Sequence, residues 1–287
     1  AVSIAGNKAT ATLTLPADEA EQLHGKISFT ATDKASNTIG KDNDYVFIVD
    51  TISPELSVKY QGKEPYEAQN GNYNGAHYFN SDVAVELTIT ETNFYSDDVV
   101  VKVSKDNGSA TLVTPSWNDN VGTFTLAGDG DYKVYVSYTD KANNPMDDYV
   151  SDIVTVDKTD PIVKIDYIHN GDEQKTIFAV TEHNFRASDV TITGTMKDIN
   201  NNNVAFTADQ LTQILRNANW TKNGDTYTAE YDAYVNGIYN LEISYTDIAG
   251  RSAKKTEQSV KEFTIDHGVP SDVTIEYAKT PMDTFLE

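Results

Sequence analysis

Three kinds of side chain in this sequence could carry chemistry: histidines, carboxylates and a run of tyrosines. The five histidines, His24, His77, His169, His183 and His267, share no metal-ligand spacing and read as satisfied surface residues. No cysteine is present, which removes disulfides and thiolate-metal sites. Neither a G-x-S-x-G elbow nor a phosphate-cradling glycine loop occurs. Carboxylates are too abundant to single out a catalytic pair of the glycosidase kind, with 44 acidic against 22 basic residues and a net charge of −22. The same imbalance argues against nucleic acid and anionic membrane, because phosphate binding rests on Lys and Arg displacing counterions. The sequence therefore predicts no enzyme, no catalytic residue and no cofactor.

The tyrosines gather in QGKEPYEAQNGNYNGAHYF, residues 61–79, where Tyr66, Tyr73 and Tyr78 stand among Gly and Asn. A ring with a hydroxyl tip is a good contact for a glycan or a glycoprotein, so these three are candidate ligand-binding residues. The competing reading is an elaborated hairpin in which Tyr78 and Phe79 begin the next core strand. A second insertion, 195–218, contains TADQLTQILRNA. Thr207 and Gln210 form a capping-box pattern there, ahead of a Leu211, Ile214, Leu215 stripe, and predict one short helix. The paired Trp117 and Trp220 read as core or core rim.

The elements that position these residues repeat. SFTATDKASN, VYVSYTDKANN and LEISYTDIAGR each precede a strand ending in Asp, and the turn acids Asp33, Asp140 and Asp247 fall at equal intervals. A proline follows four residues after each terminal Asp, at Pro54, Pro161 and Pro270, and marks the start of the next module. A period this long means whole domains in series rather than a solenoid. The expected organisation is the C-terminal part of a truncated module at 1–50, complete modules at 54–157 and 161–266, and the start of a following one at 267–287. Any targeting or anchoring segment is expected outside this stretch.

Alternation such as Val83, Val85, Leu87 and Ile89 against Ala84, Glu86, Thr88 and Thr90 is the mark of antiparallel strands with one wet face. About seven such runs per module, separated by Gly, Asn and Asp turns, predict an all-β chain of tandem immunoglobulin-like Greek-key sandwiches. DGDY ending at Tyr132 and NGIY ending at Tyr239 resemble the tyrosine corner of such sandwiches. In that topology the loop after the second strand and the last hairpin lie where the chain enters a module. Two acid trios are therefore expected at the interdomain junctions: Asp50, Glu91 and Asp140, then Asp157, Glu182 and Asp247. Each acid either captures nearby backbone N–H groups or joins a calcium site, and no metal is assigned.

ITETNFYSDDV and VTEHNFRASDV share T-E-x-N-F-x-x-x-D-V, and with YTDKANN and VD-x-x-x-P they resemble the Ig-like modules of large repeat-bearing cell-surface proteins of Firmicutes. The resemblance implies an extracellular, bacterial surface location, neighbouring Ig-like modules of the same protein as partners, and a spacer or adhesin role. The alternative it leaves is a binding module for a host glycan or host glycoprotein through 61–79 or 195–218.

Overall fold

The computed structural model describes residues 2–6, 8–14, 23–42, 46–171, 173–256 and 259–268. Most of the expected 267–287 segment lies outside them. The chain divides into two compact units, Ala1–Thr159 with Ile248–Gly250, and Asp160–Asp247 with Arg251–Glu287.

In the first unit, alternation sets the core. Val83–Thr90 buries Val83, Val85, Leu87 and Ile89 completely and turns Ala84 and Thr90 outward. It lies between Val121–Leu126 and Glu55–Tyr60, with Ser116–Asn118 at the edge, all antiparallel. A second sheet runs Thr111–Val113, Val100–Lys105, Gly130–Ser137, Ile153–Val156, Ala76–Phe79 and Gly71–Tyr73, and Tyr149–Val150 also pairs with Gly130–Ser137. Val101, Val134, Val136, Val154 and Val156 from this sheet share one buried cluster with the first, so the unit contains a β-sandwich.

Residues 61–79 are built into that sandwich. After Tyr60 they form one helical turn, Pro65–Ala68, and return as the hairpin Gly71–Tyr73 and Ala76–Phe79 around Asn74 and Gly75, both at positive φ. The second arm pairs in parallel with Ile153–Val156.

The second unit repeats the plan. One sheet runs Thr221–Asn223, Thr226–Tyr231, Glu173–Thr181, Ile162–Asn170 and Lys254–Lys255; the other runs Asn203–Val204, Thr191–Lys197, Gly237–Ser244 and Glu262–Ile265. Val163, Ile165, Phe178 and Val180 meet Ile192, Leu241, Ile243 and Ile265 in the core. The expected helix is Ala208–Arg216. Its capping box does not form: Thr207 makes no side-chain cap, and Gln210 N–H reaches only the Thr207 carbonyl, at 3.0 Å. The buried face is also different, with Ile214 exposed and Thr212 buried beside Leu211 and Leu215. Thr212 takes the inward place because its Oγ1 accepts from Ile192 N–H at 2.9 Å and lies 3.2 Å from the Ile192 carbonyl, serving a strand position that has a main-chain donor to satisfy.

Both tyrosine corners form. The Tyr132 hydroxyl points at the carbonyls of Ala127 and Gly128 at 2.6 and 2.9 Å, and Tyr239 donates to the Val235 carbonyl at 2.9 Å. Ahead of these sandwiches, in the first unit, Val2–Ala5 pairs with Lys8–Ala11, Leu23–Gly25 with Phe47–Val49, and Ser28–Thr32 with Thr38–Asp42.

Candidate functional site

The turn acids work first on their own hairpins. Asp140 Oδ1 accepts the N–H groups of Ala142 and Asn144, and its Oδ2 accepts the Asn144 side-chain amide, all at 2.8 Å. Asp33 does the same with Ala35 and Asn37, and Asp198 with Asn200 and Asn202. Asn37 and Asn202 hold the Asp33 and Asp198 carboxyls below the usual range. The third residue after the acid takes a positive φ in each turn, at Ser36, Asn143 and Asn201, so the carboxylate pins a left-handed backbone that would otherwise open. Asp247 belongs to the same class, with Arg251 in the asparagine position donating its N–H to Oδ1 at 2.8 Å.

The other predicted acids cap local backbone too. Glu91 Oε1 accepts Asn93 N–H at 2.6 Å, and Glu182 Oε1 accepts Asn184 N–H at 2.9 Å, which explains the shared T-E-x-N. Asp50 Oδ1 accepts Ile52 N–H at 3.1 Å, and Asp157 Oδ1 faces Thr159 N–H at 3.4 Å.

In the first unit the structure brings Asp50, Glu91 and Asp140 together. All three are buried, and one carboxylate oxygen from each lies within 4.8 Å of the others. In the second unit Glu182 and Asp247 are brought equally close. Asp157 is a buried residue of the first unit and hydrogen-bonds through its N–H to the Phe79 carbonyl at 2.8 Å. Three convergent carboxylate oxygens are a donor set suited to a hard cation such as calcium. The same carboxylates also serve the local N–H donors described above. Nearby, the Tyr138 hydroxyl accepts Tyr95 N–H at 3.2 Å, and burial, with Glu91, Asp98 and Asp140 close by, raises its pKa above the ordinary tyrosine value.

The three candidate tyrosines separate. Tyr66 is 69% exposed and Tyr73 is 42% exposed, whereas Tyr78 is buried beside Ala76 and Ile153. Tyr78 is therefore unavailable as a surface contact: it lies in a small buried cluster with Ala76, Ile248 and Ala249, on the face of its strand opposite to Phe79, which enters the sandwich core. His77, expected at the surface, is also buried. Its Nδ1 meets Gln69 Oε1 at 2.5 Å, its Nε2 faces Asp152 Oδ2 at 3.4 Å, and its ring meets Tyr66 edge to face. His169, His183 and His267 are exposed; the side chain of His24 lies outside the described residues.

Trp117 and Trp220 are half-buried at the rims of the two cores. Trp117 tilts against Phe94 at 5.1 Å and covers Gly122, where any Cβ would come within 2.8 Å of the indole. Trp220 packs on Phe185 and donates Nε1–H to the Leu215 carbonyl at 2.8 Å, tying the helix to the rim.

No protein-family model matches the chain, and no curated protein matches it. Among solved structures, the crystal structure of dimeric latent PorU from Porphyromonas gingivalis superposes on 79% of this chain and 26% of that one, at 12% identity and a TM-score of 0.24. A match that loose carries no argument about fold or function.

Proposed function

We propose that this chain is a non-catalytic spacer region of tandem Ig-like modules in an exported bacterial surface protein or adhesin, where it presents a distal functional domain. The supporting observation is the burial of Asp50 together with Glu91 and Asp140. Asp50 ends one repeat and the other two acids belong to the next, so the approach to the 54–157 module is a hydrogen-bonded structure rather than a free hinge. A spacer needs stiffness at that point, and the buried acids there cap turns. Small-angle scattering tests the reading: Glu91→Ala should enlarge the radius of gyration while circular dichroism stays unchanged. An unaltered scattering profile would count against a stiffened approach.

A second reading has its own observation. Tyr66 and Tyr73 are exposed, Tyr73 on a strand paired with Ala76–Phe79 and Tyr66 on a helical turn whose ring packs edge to face on buried His77, which gives a preorganised aromatic surface for a host glycan or glycoprotein. Glycan-array binding that is lost in Tyr66→Ala/Tyr73→Ala would favour this binding module over a pure spacer.

A further inference from the structure

Among the described residues, the strands between Val2 and Val49 leave exposed the apolar positions that form the inward face of the sandwich in the next module. The hairpin of Val2–Ala5 and Lys8–Ala11 matches that of Ser116–Asn118 and Val121–Leu126: Ala5 faces Lys8 as Asn118 faces Val121, and Ser3, Thr10, Thr12 and Leu13 repeat Ser116, Thr123, Thr125 and Leu126. Leu23 pairs with Val49 and Gly25 with Phe47, as Gly130 pairs with Val156 and Tyr132 with Val154. Counting from these pairs, Ile27 and Phe29 stand where Val134 and Val136 stand in the next module, and where Leu241 and Ile243 stand in the one after. Ile39 stands where Met146 does.

All five of those counterparts are buried, and Leu126 is buried as well. In the first segment Phe29 is 56% exposed, Ile39 is 67% exposed, and Ile27 and Leu13 are exposed too. Two edges are open as well. In the complete module Val121–Leu126 is paired by Val83–Thr90, and Gly130–Ser137 is paired by Val100–Lys105. Among the described strands, the matching edges of Lys8–Ala11 and Ser28–Thr32 have no such neighbour.

We infer that residues 2–49 are a receptor for a complementing β-segment: three antiparallel strands of the type Glu55–Tyr60, Val83–Thr90 and Val100–Lys105, with apolar residues alternating on the face that closes the core. The chain's own complete module already contains this interface, so the chemistry of the occupant is read from its counterpart. Open edges supply main-chain hydrogen bonds, and the inward face supplies the area that makes pairing favourable. The inference rests on the repeat reading proposed above.

The experiment joins a second copy of residues 54–109 ahead of residue 1 in the full chain and follows hydrogen exchange. Amides in residues 27–49 should slow on the order of 100-fold relative to the unjoined chain. Phe29→Asp in the joined protein should abolish that gain while exchange in 83–90 and 237–244 stays unchanged. A joined protein whose 27–49 amides exchange as fast as before overturns the inference. In the unjoined chain, Phe29→Ser/Ile39→Ser should lower binding of an apolar fluorescent dye without moving the main melting transition. Light scattering provides the other decisive arm: a dimer of the unjoined chain dispersed by Phe29→Ser/Ile39→Ser would mean that a second copy covers the face, against the occupant named here. The repeat reading fails separately if excised 54–157 does not unfold as one cooperative unit.

Discussion

The side-chain amide of Asn144 reaches the main-chain carbonyl of Asp50 at 3.1 Å while also donating to Asp140 Oδ2 at 2.8 Å. One asparagine thus ties the end of one repeat to the last hairpin of the next. Asn144→Ala removes both bonds and is expected to lower the stability of the first unit by about 1–2 kcal/mol. Limited proteolysis between residues 42 and 54 should accelerate in the variant. Asp140→Ala goes further, because the N–H groups of Ala142 and Asn144 lose their acceptor as well; a melting shift no larger than that of Asn144→Ala would contradict the turn-pinning role.

Much of this arrangement is legible in the sequence because it is local. The alternation of Val83, Val85, Leu87 and Ile89 fixes which face is buried, and the DKANN and T-E-x-N patterns bring acceptor and donor together within four residues. Asp198–Asn202 is the same turn and could have been found from its D-x-x-x-N spacing alone. Burial of Tyr78 and His77 was not legible, since Tyr78 is covered by Ile248 and Ala249, far away in the sequence, and His77 stands on a strand whose parallel partner, Ile153–Val156, is equally non-local. The unformed capping box of Thr207 has the same origin: tertiary bonds from Thr212 to Ile192 choose the helix face, and local propensity does not.

The rim tryptophans are expected to act through packing. Trp117→Ala opens space above Gly122 and beside Phe94 and should cost about 3 kcal/mol, measured by denaturant unfolding. Tyr132→Phe keeps the ring and loses only the hydroxyl bonds to Ala127 and Gly128, for about 1 kcal/mol. If the two variants were equally stable, the indole would not be a core residue.

Thr212→Val keeps the shape and removes the hydroxyl that serves the Ile192 main chain. Because that site is buried, the expected loss is about 1–3 kcal/mol in the second unit. Thr212→Ser retains the hydroxyl and should recover most of it; failure to recover would mean that the methyl group, rather than the hydrogen bond, holds the helix in place.

Acid should weaken the second unit through Asp160. The Lys254 ammonium, followed by the Arg251 guanidinium, holds the Asp160 carboxyl below its ordinary value of 3.8. A carboxylate depressed on folding contributes stability that is present above its unfolded pKa and disappears as pH falls through the folded value. Wild type should therefore lose melting temperature below about pH 4, and Asp160→Asn should flatten that part of the curve while lowering stability at pH 7. An unchanged acid limb in Asp160→Asn would assign the loss to other carboxylates of the second unit, of which Glu242, depressed by the Lys255 ammonium, is the first to examine.

Glu91 separates two roles that its carboxylate combines. Its Oε1 accepts Asn93 N–H at 2.6 Å, and its charge is buried near those of Asp50 and Asp140. Glu91→Gln keeps an acceptor for Asn93 and removes one of three neighbouring negative charges. With chelator present, like-charge relief should leave it at least as stable as wild type. Glu91→Ala removes the acceptor too and should fall about 1.5–3 kcal/mol below wild type, the range for a charge-assisted hydrogen bond. Millimolar calcium then distinguishes the two uses of the cluster. Capping alone predicts melting curves of wild type and Glu91→Gln that do not respond to calcium. A rise confined to wild type would mean that the three oxygens act as ligands, because a neutral amide in place of one carboxylate weakens binding of a hard dication.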